Sequence, residues 1–374
     1  MNNHVSILIV NFNTSKLLKR CIDSILSDQS KPEIEIIVID NASADDSIEM
    51  LQNTFPDIHI ITNDHNCGFA EANNQGLEKA TGEFTLLLNP DTELFPGALR
   101  TLHNFLSSQP DAGACGPRTW LDNNKTLEVC SLKILTPERA HAVFTRLPSI
   151  KRQRLLSEIW KLDAGLWSAT NPYQVEGIGG AAFFIRTDQL KSLGGLDQRF
   201  YLGYEDTDLC MALNYKGKKI FIVPDAEIVH LFGQSKQTTQ APKAEIYAWQ
   251  TAPLQFIEKY FGKLRAKHLV MQKFIDSIWR KFKPDKPFGA EFPTQANGIT
   301  LQWPVSETNG YVFEISNDFI FFDKFGKVTP EPFIHLSSEL LNRLNTKRWF
   351  WRAWPFSTVA SETPIKFGYW LQDK

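Results

Sequence analysis

Apolar runs alternate with amphipathic segments through the first part of the chain, and most of these runs end at a cluster of Asn and Asp. Val5–Val10, Ile34–Ile39, Ile58–Ile61 and Phe84–Leu88 read as strands. Between the first two, Leu17, Leu18, Cys21, Ile22 and Ile25 share one face of a helix that Thr14 can cap and that runs to about Ser27. Ser43 or Asp45 can cap a second helix ending near Thr54, and residues 68–80 read as a third, closed by Thr81-Gly82. A βαβαβαβ order predicts a Rossmann-like, mostly parallel sheet with helices on both faces. Strand two, Ile34-Glu35-Ile36-Ile37-Val38-Ile39, is nearly continuous in apolar residues, as a sheet covered on both sides requires.

The polar clusters follow from that order. Asn11-Phe12-Asn13, Asp40-Asn41-Ala42-Ser43, Asn66-Cys67-Gly68-Phe69 with Asn73, and Asn89-Pro90-Asp91 lie at or near strand ends. In a parallel sheet these ends share one edge, which is where open α/β sheets bind ligands. The Gly68 turn lets backbone approach a phosphate closely. Asp40 can accept hydrogen bonds from a base or ribose, and Asp91 can hold a divalent cation, Mg²⁺ or Mn²⁺, bridging a diphosphate. The same residue types also serve as plain turn and N-cap residues.

Further along, a helix is expected from Pro96 to about Ser107, a strand at Ala112–Gly116, and a glycine-rich segment leading into a strand at Val175–Ile185. A helix over about Asp206–Tyr215 and a strand Lys219–Val223, ended by Pro224, follow. Residues 136–172, with Arg139, Arg146, Lys151, Arg152 and Arg154, read as a surface excursion. Residues 241–283 look helical, and residues 299–325 and 348–371 carry the aromatic and β-branched side chains that favour strands. The expected division is an α/β domain over 1–240, a helical extension over 241–286 and a β-rich module over 287–374. The tryptophans Trp303, Trp349, Trp351, Trp354 and Trp370 suit sugar stacking if exposed and a β core if buried.

A net charge of -2 gives no reason to expect a nucleic-acid partner. Cys21, Cys67, Cys115, Cys130 and Cys210 show no zinc-site spacing and read as reduced thiols in a cytosol. No basic leader or bilayer-length apolar stretch stands in the chain, so a cytoplasmic protein is expected. The basic amphipathic stretch 254–282 leaves peripheral contact with the inner membrane surface open.

Val5-Ser6-Ile7-Leu8-Ile9-Val10-Asn11-Phe12-Asn13, Ile37-Val38-Ile39-Asp40-Asn41-Ala42-Ser43, Asn66-Cys67-Gly68-Phe69-Ala70 and Asn89-Pro90-Asp91 together resemble the family 2 glycosyltransferases, most of all a bacterial rhamnosyltransferase-type branch. The resemblance spans about residues 4–235. It implies a GT-A fold, an inverting mechanism, a nucleoside-diphosphate sugar donor, a glycan or lipid-linked glycan acceptor in cell-surface polysaccharide synthesis, and a divalent metal. By the same resemblance, Asn11, Asn13, Asp40, Asn41, Ser43, Asn66, Gly68, Phe69, Asn73, Asn89 and Asp91 lie on the donor side. Gly177–Arg186, with Gly179 and Gly180, resembles the acceptor-side segment. Phe200–Leu209 resembles the catalytic Glu-Asp motif, with Asp206 as base and Glu205 and Asp208 beside it. Val229–Ser235 resembles the His-x-x-Gly-x-Ser segment that closes over the diphosphate, and His230 joins Asp91 as a metal ligand. One departure is Asn89, which stands where the broad family often has the first acid of Asp-x-Asp and so leaves less negative charge for the metal.

Three other readings fit the sequence less well. A sugar nucleotidyltransferase would carry a glycine-rich, Arg- and Lys-bearing loop after Val10, which is missing. A carbohydrate-binding or scaffold protein built on a dead transferase sits poorly with intact Asp91 and Asp206. A dehydrogenase lacks its Gly-x-Gly-x-x-Gly after strand one.

Overall fold

The computed structural model describes residues 4–139, 166–231, 243–271, 290–291, 298–305, 310–316, 325–344, 348–355 and 366–371. In chain order the elements begin β1 (His4–Asn11), α1 (Ser15–Leu26), β2 (Glu33–Asp40), α2 (Ser47–Thr54), β3 (His59–Thr62), α3 (Phe69–Lys79) and β4 (Phe84–Leu88). Then come β5 (Thr92–Leu94), α4 (Ala98–Ser108), β6 (Ala112–Trp120), β7 (Glu128–Val129), β8 (Tyr173–Val175), β9 (Ala182–Arg186), α5 (Thr187–Ser192), α6 (Glu205–Tyr215) and β10 (Lys219–His230). The rest are α7 (Lys243–Phe261), a helix α8 over 263–271, β11 (Ala290–Glu291), β12 (Ile299–Gln302), β13 (Tyr311–Ser316), β14 (Phe325–Thr329), β15 (Phe333–Leu336), α9 (Ser338–Arg343), β16 (Arg348–Pro355) and β17 (Lys366–Leu371).

Two compact units result. The first holds residues 1–119, 131–134 and 170–256. Its sheet runs β6-β9-β4-β1-β2-β3, with β10 paired to β5, β6 and β8. Strands β4, β1, β2 and β3 are parallel, whereas β9 runs antiparallel to β4. The order β3-β2-β1-β4 is that of a Rossmann half, because each crossover helix returns the chain to a parallel neighbour. Leu18, Cys21, Ile22 and Ile25 of α1 are buried with Val5, Ile7 and Ile9 of β1 and Phe84, Leu86 and Leu88 of β4 in one core. These are mostly the residues that the helical and strand periodicities select. Ile22→Ala should cost about 2–5 kcal/mol of unfolding free energy, since it empties a fully buried site. A denaturant titration with an unchanged midpoint would contradict this.

Several local expectations change. Thr14 stands at the α1 N-cap, but its hydroxyl donates to Asn11 Oδ1 at 2.6 Å, so it does not cap the helix. Asp45 Oδ2 takes the Ser15 N–H instead, at 2.9 Å, while Asp45 Oδ1 takes the Ser47 N–H of α2 at 3.1 Å. Ser43 is drawn into the site and caps nothing. The last strand of this unit runs through Pro224 to His230. It pairs with β8 at Ile220–Ile222 and with β5 at Ile228–His230, and Pro224 lies in neither stretch, so its missing N–H costs neither pairing. The helical region breaks at Gly262, whose φ of +91° suits a glycine closing α7.

The second unit groups residues 120–130 and 135–169 with 257–374. This differs from the sequential division expected, and the reason is strand pairing. Short β7 joins β14 through Val129↔Phe325 and Glu128↔Gly326, in a sheet of order β11-β17-β16-β13-β14-β7. Leu121 and Leu127 enter the core formed by Phe313, Ile315, Trp303, Trp349 and Trp351. Trp303 stacks on Phe313 with ring centroids 5.7 Å apart. Trp303, Trp349, Trp351 and Trp354 are all buried, so these tryptophans build a β core and offer no exposed sugar platform. The side chain of Trp370 lies outside the described residues, as do residues 140–165 of the expected surface excursion and 272–283 of the expected helix.

Candidate active site

The parallel register brings the first two polar clusters level. Asn11 pairs with Asp40, the last residues of β1 and β2, and Asp40 pairs with Thr62 at the end of β3. Asn11 Nδ2 donates to Asp40 Oδ1 at 2.7 Å and to Ser43 Oγ at 3.0 Å. Ser43 N–H donates to Asp40 Oδ2 at 2.9 Å, and Asn13 N–H to Ser43 Oγ at 2.9 Å. Asn13 Oδ1 accepts from Ala44 N–H at 2.7 Å. Asp40 is buried, with both oxygens engaged inside the protein. It braces the loop at the strand end where the sequence reading expects the base or ribose. Asn13 and Ala42 hold left-handed φ values of 54° and 60°, a conformation disfavoured for residues with a side chain and met where a loop is held for a purpose.

The third cluster is tied to the second. Asn41 Nδ2 reaches Asn66 Oδ1 and Gly68 O, each at 3.2 Å, and Asn66 Oδ1 also accepts from Gly68 N–H at 3.0 Å. Asn73 Nδ2 donates to Phe69 O at 2.9 Å. Tyr201, which the sequence reading quoted in a motif without assigning a role, holds this turn. Its hydroxyl donates to Asn66 O at 3.0 Å and its carbonyl accepts from Phe69 N–H at 2.8 Å. Gly68 has φ +90°, and a Cβ there would lie 2.6 Å from the Tyr201 ring. Gly68→Ala therefore meets both backbone strain and a clash, and should lower stability by about 1–3 kcal/mol. It should also weaken donor binding. Unchanged thermal stability together with unchanged donor affinity would contradict this account of the turn.

The fourth cluster meets a distant strand. His230 pairs with Thr92 across the β10–β5 ladder, and Leu231 N–H donates to Asp91 O at 2.9 Å. His230 Nε2 lies 3.1 Å from Asp91 Oδ1, and Asp91 is buried. A carboxylate oxygen and an imidazole nitrogen at that spacing suit neighbouring ligands of one divalent cation. Among the described residues no group of three or more His, Cys, Asp or Glu side chains is arranged to hold a metal ion by itself, so remaining positions would fall to water and ligand phosphates, as is usual for Mg²⁺-type sites. The segment after Leu231, including Gly233 and Ser235 of the expected closing motif, lies outside the described residues.

The carboxylate end sits beside this. Asn89 N–H donates to Ala181 O at 3.0 Å, and the adjacent Gly180 N–H donates to Asp206 Oδ2 at 2.9 Å. Asp206 Oδ1 accepts from Thr207 N–H at 2.6 Å and from Thr207 Oγ1 at 3.2 Å. A Cβ on Gly180 would touch Asp206 at 3.6 Å, whereas one on Gly179 would meet nothing within 4 Å. Glu205 and Asp208 are buried in the same first turn of α6, behind Tyr204 at φ +73°. Burial raises the pKa of Asp206 above the ordinary carboxylate range, against the hydrogen bonds from Thr207 and Gly180. Burial, reinforced by the Asp206 charge, pushes Glu205 up to about 8, so Glu205 holds its proton at neutral pH. Thr207, also given no role by the sequence reading, helps fix the Asp206 carboxylate.

A consequence for stability follows from Glu205. Between about 4.5 and about 8 the unfolded chain has released this proton and the folded chain keeps it, so stability falls as pH rises through that window. Glu205→Gln should flatten the fall, and melting curves at several pH values would reveal it. A variant whose stability falls as steeply as the parent's would contradict the burial argument.

Residues 6–156 match the sequence model described as Glycosyl transferase family 2. This part of the chain is a family 2 glycosyltransferase domain. This transferase is 22% identical over 323 residues to an N-acetylglucosaminyl-diphospho-decaprenol L-rhamnosyltransferase of Mycobacterium tuberculosis, covering 76% of this chain and 98% of the relative. It is 36% identical over 102 residues to a GalNAc(5)-diNAcBac-PP-undecaprenol beta-1,3-glucosyltransferase of Campylobacter jejuni, covering 26% of this chain and 33% of that protein. A solved mannosyltransferase from Pyrobaculum calidifontis, in complex with GDP-Man and Mn²⁺, is 18% identical and superposes with a TM-score of 0.46, covering 75% of this chain and 76% of that one. The transferase has free thiols at Cys21, Cys67, Cys115, Cys130 and Cys210. No helix among its described residues is long and apolar enough to cross a membrane.

Proposed function

We propose that this glycosyltransferase moves a sugar, rhamnose by likeness to the mycobacterial relative, from a nucleoside diphosphate onto a glycan or lipid-linked glycan, with inversion at the anomeric carbon. The Asp206 carboxylate carries the reading. Donors from Gly180 and Thr207 hold it in one orientation, burial raises its basicity, and protonated Glu205 beside it adds no competing negative charge. A base so prepared takes the proton of an acceptor hydroxyl as that oxygen bonds to the anomeric carbon. The bond from that carbon to the diphosphate breaks in the same step, and the nucleoside diphosphate leaves with the electron pair.

The Asn11–Asp40–Ser43 network and the Gly68 turn hold the donor loops in place at the sheet edge. Asp91 and His230 would hold a divalent cation, Mn²⁺ or Mg²⁺. Such a cation neutralises charge on a leaving diphosphate. The names of the two relatives specify acceptors linked through diphosphate to decaprenol and undecaprenol, which favours a lipid-diphosphate acceptor here in cell-surface glycan assembly.

The test is to supply dTDP- and UDP-sugars with a polyprenyl-diphosphate N-acetylglucosamine acceptor and to follow nucleotide release and product configuration by NMR. Nucleotide release with an inverted product supports the reading. A retained anomeric configuration overturns single displacement, and no turnover of any donor overturns the reading as a whole.

A further inference from the structure

Helix α8, over 263–271, packs through Ala266 and Leu269, which are buried. At about 100° per residue, Leu264, Lys267, His268 and Met271 fall on the side away from that contact. Leu264 is 84% exposed, Met271 51% and Val270 48%. Isolated exposed apolar residues are ordinary, but Leu264 and Met271 lie two turns apart on that one side and form a patch, with Val270 set apart from it. The patch is set among cations. From Lys259 to Lys273 the sequence has Lys259, Lys263, Arg265, Lys267 and Lys273 and no carboxylate at all. The ion pairs Lys263–Glu258 at 3.8 Å and Arg265–Glu138 at 3.9 Å join side chains that are about half exposed or more, so they leave the positive field largely open to solvent.

A second copy of the same cationic face would be repelled, and a nucleic acid would leave Leu264 and Met271 in water. A surface that is both apolar and negatively charged satisfies both features. We propose that this face of α8 docks on an anionic lipid bilayer. Leu264 and Met271 enter the boundary between headgroups and acyl chains, and Lys263, Arg265 and Lys267 lie over the lipid phosphates. This deepens the lipid-linked acceptor reading, because such an acceptor is carried by a membrane, yet it is tested without any turnover.

The experiment is co-sedimentation of the full chain with vesicles of phosphatidylcholine alone and of phosphatidylcholine mixed with phosphatidylglycerol. Binding is expected to the mixed vesicles and not to the neutral ones, and to weaken as salt is raised. Replacing Lys263, Arg265 and Lys267 by Gln should weaken it roughly fivefold per charge. Leu264→Ser with Met271→Ser should weaken it roughly tenfold or more. No binding to mixed vesicles, or equal binding to both kinds, overturns the proposal. So does undiminished binding by the serine variant, the behaviour of a purely electrostatic surface such as one for nucleic acid. A concentration-dependent dimer that the serine variant abolishes also overturns it. Unchanged melting temperature and unchanged donor hydrolysis in solution, expected for both variants, keep a failure here distinct from a failure of the glycosyltransferase reading.

Discussion

Asp206→Asn should lower sugar transfer by about 10²–10⁴-fold, the usual contribution of a general base, while donor affinity changes little. The substitution keeps the side chain's size and removes its basicity. The carboxylate accepts from Gly180 on one oxygen and from Thr207 on the other, so an Asn amide turns its NH₂ toward one of those N–H donors. Some local loosening is therefore expected, and a melting curve measures it separately. The decisive readout is the split between turnover and binding. A group used only in the transition state affects kcat and leaves donor affinity alone. Near-normal transfer by the variant would move the base to Glu205 or Asp208, which share the first turn of α6.

Asp91→Asn should behave oppositely and weaken Mn²⁺ and donor binding together. The loss in metal affinity should be at least about 10–100-fold, since removing even an outer-shell partner of a metal ligand has that effect. Asn89 is already neutral, so Asp91 supplies the only negative charge of the Asn89-Pro90-Asp91 turn. Calorimetric titration of Mn²⁺, and of donor with and without a chelator, reads both effects. His230→Ala should show the same coupling to a smaller extent, because a neutral imidazole contributes no net charge. Donor affinity indifferent both to the chelator and to Asp91→Asn would leave the 3.1 Å Asp91–His230 approach as a plain side-chain contact, with no cation site.

The sheet edge was legible because its signals are local. Each strand announces itself by a short apolar run, and Asn11 and Asp40, at strand ends in the sequence, are level in the register. The helices expected from Thr14 to about Ser27, over 68–80 and over about Asp206–Tyr215 appear at Ser15–Leu26, Phe69–Lys79 and Glu205–Tyr215, since a 3.6-residue period and a closing turn are both contained in one short window. Thr14 and Pro224 misled for the same reason. A cap and a breaker are local rules, and in both places distant groups decided the outcome: Asp40 and Ser43 hold the Asn11 amide that takes the Thr14 hydroxyl, and β10 changes its partner along its length.

By itself, then, the sequence determined the α/β order, the parallel sheet and the edge where Asn, Asp and Gly gather, because periodicity and strand ends are written residue by residue. The tertiary structure alone decided which groups face one another. It turned both oxygens of Asp40 inward to Asn11 and Ser43, set Tyr201 against Gly68, and brought His230 to Asp91 across antiparallel strands. It also buried Glu205 deeply enough to keep its proton, and drew β7 into the second unit. Those outcomes depend on pairing between segments far apart in the chain and on the water excluded when they pack, and no short stretch of sequence contains either.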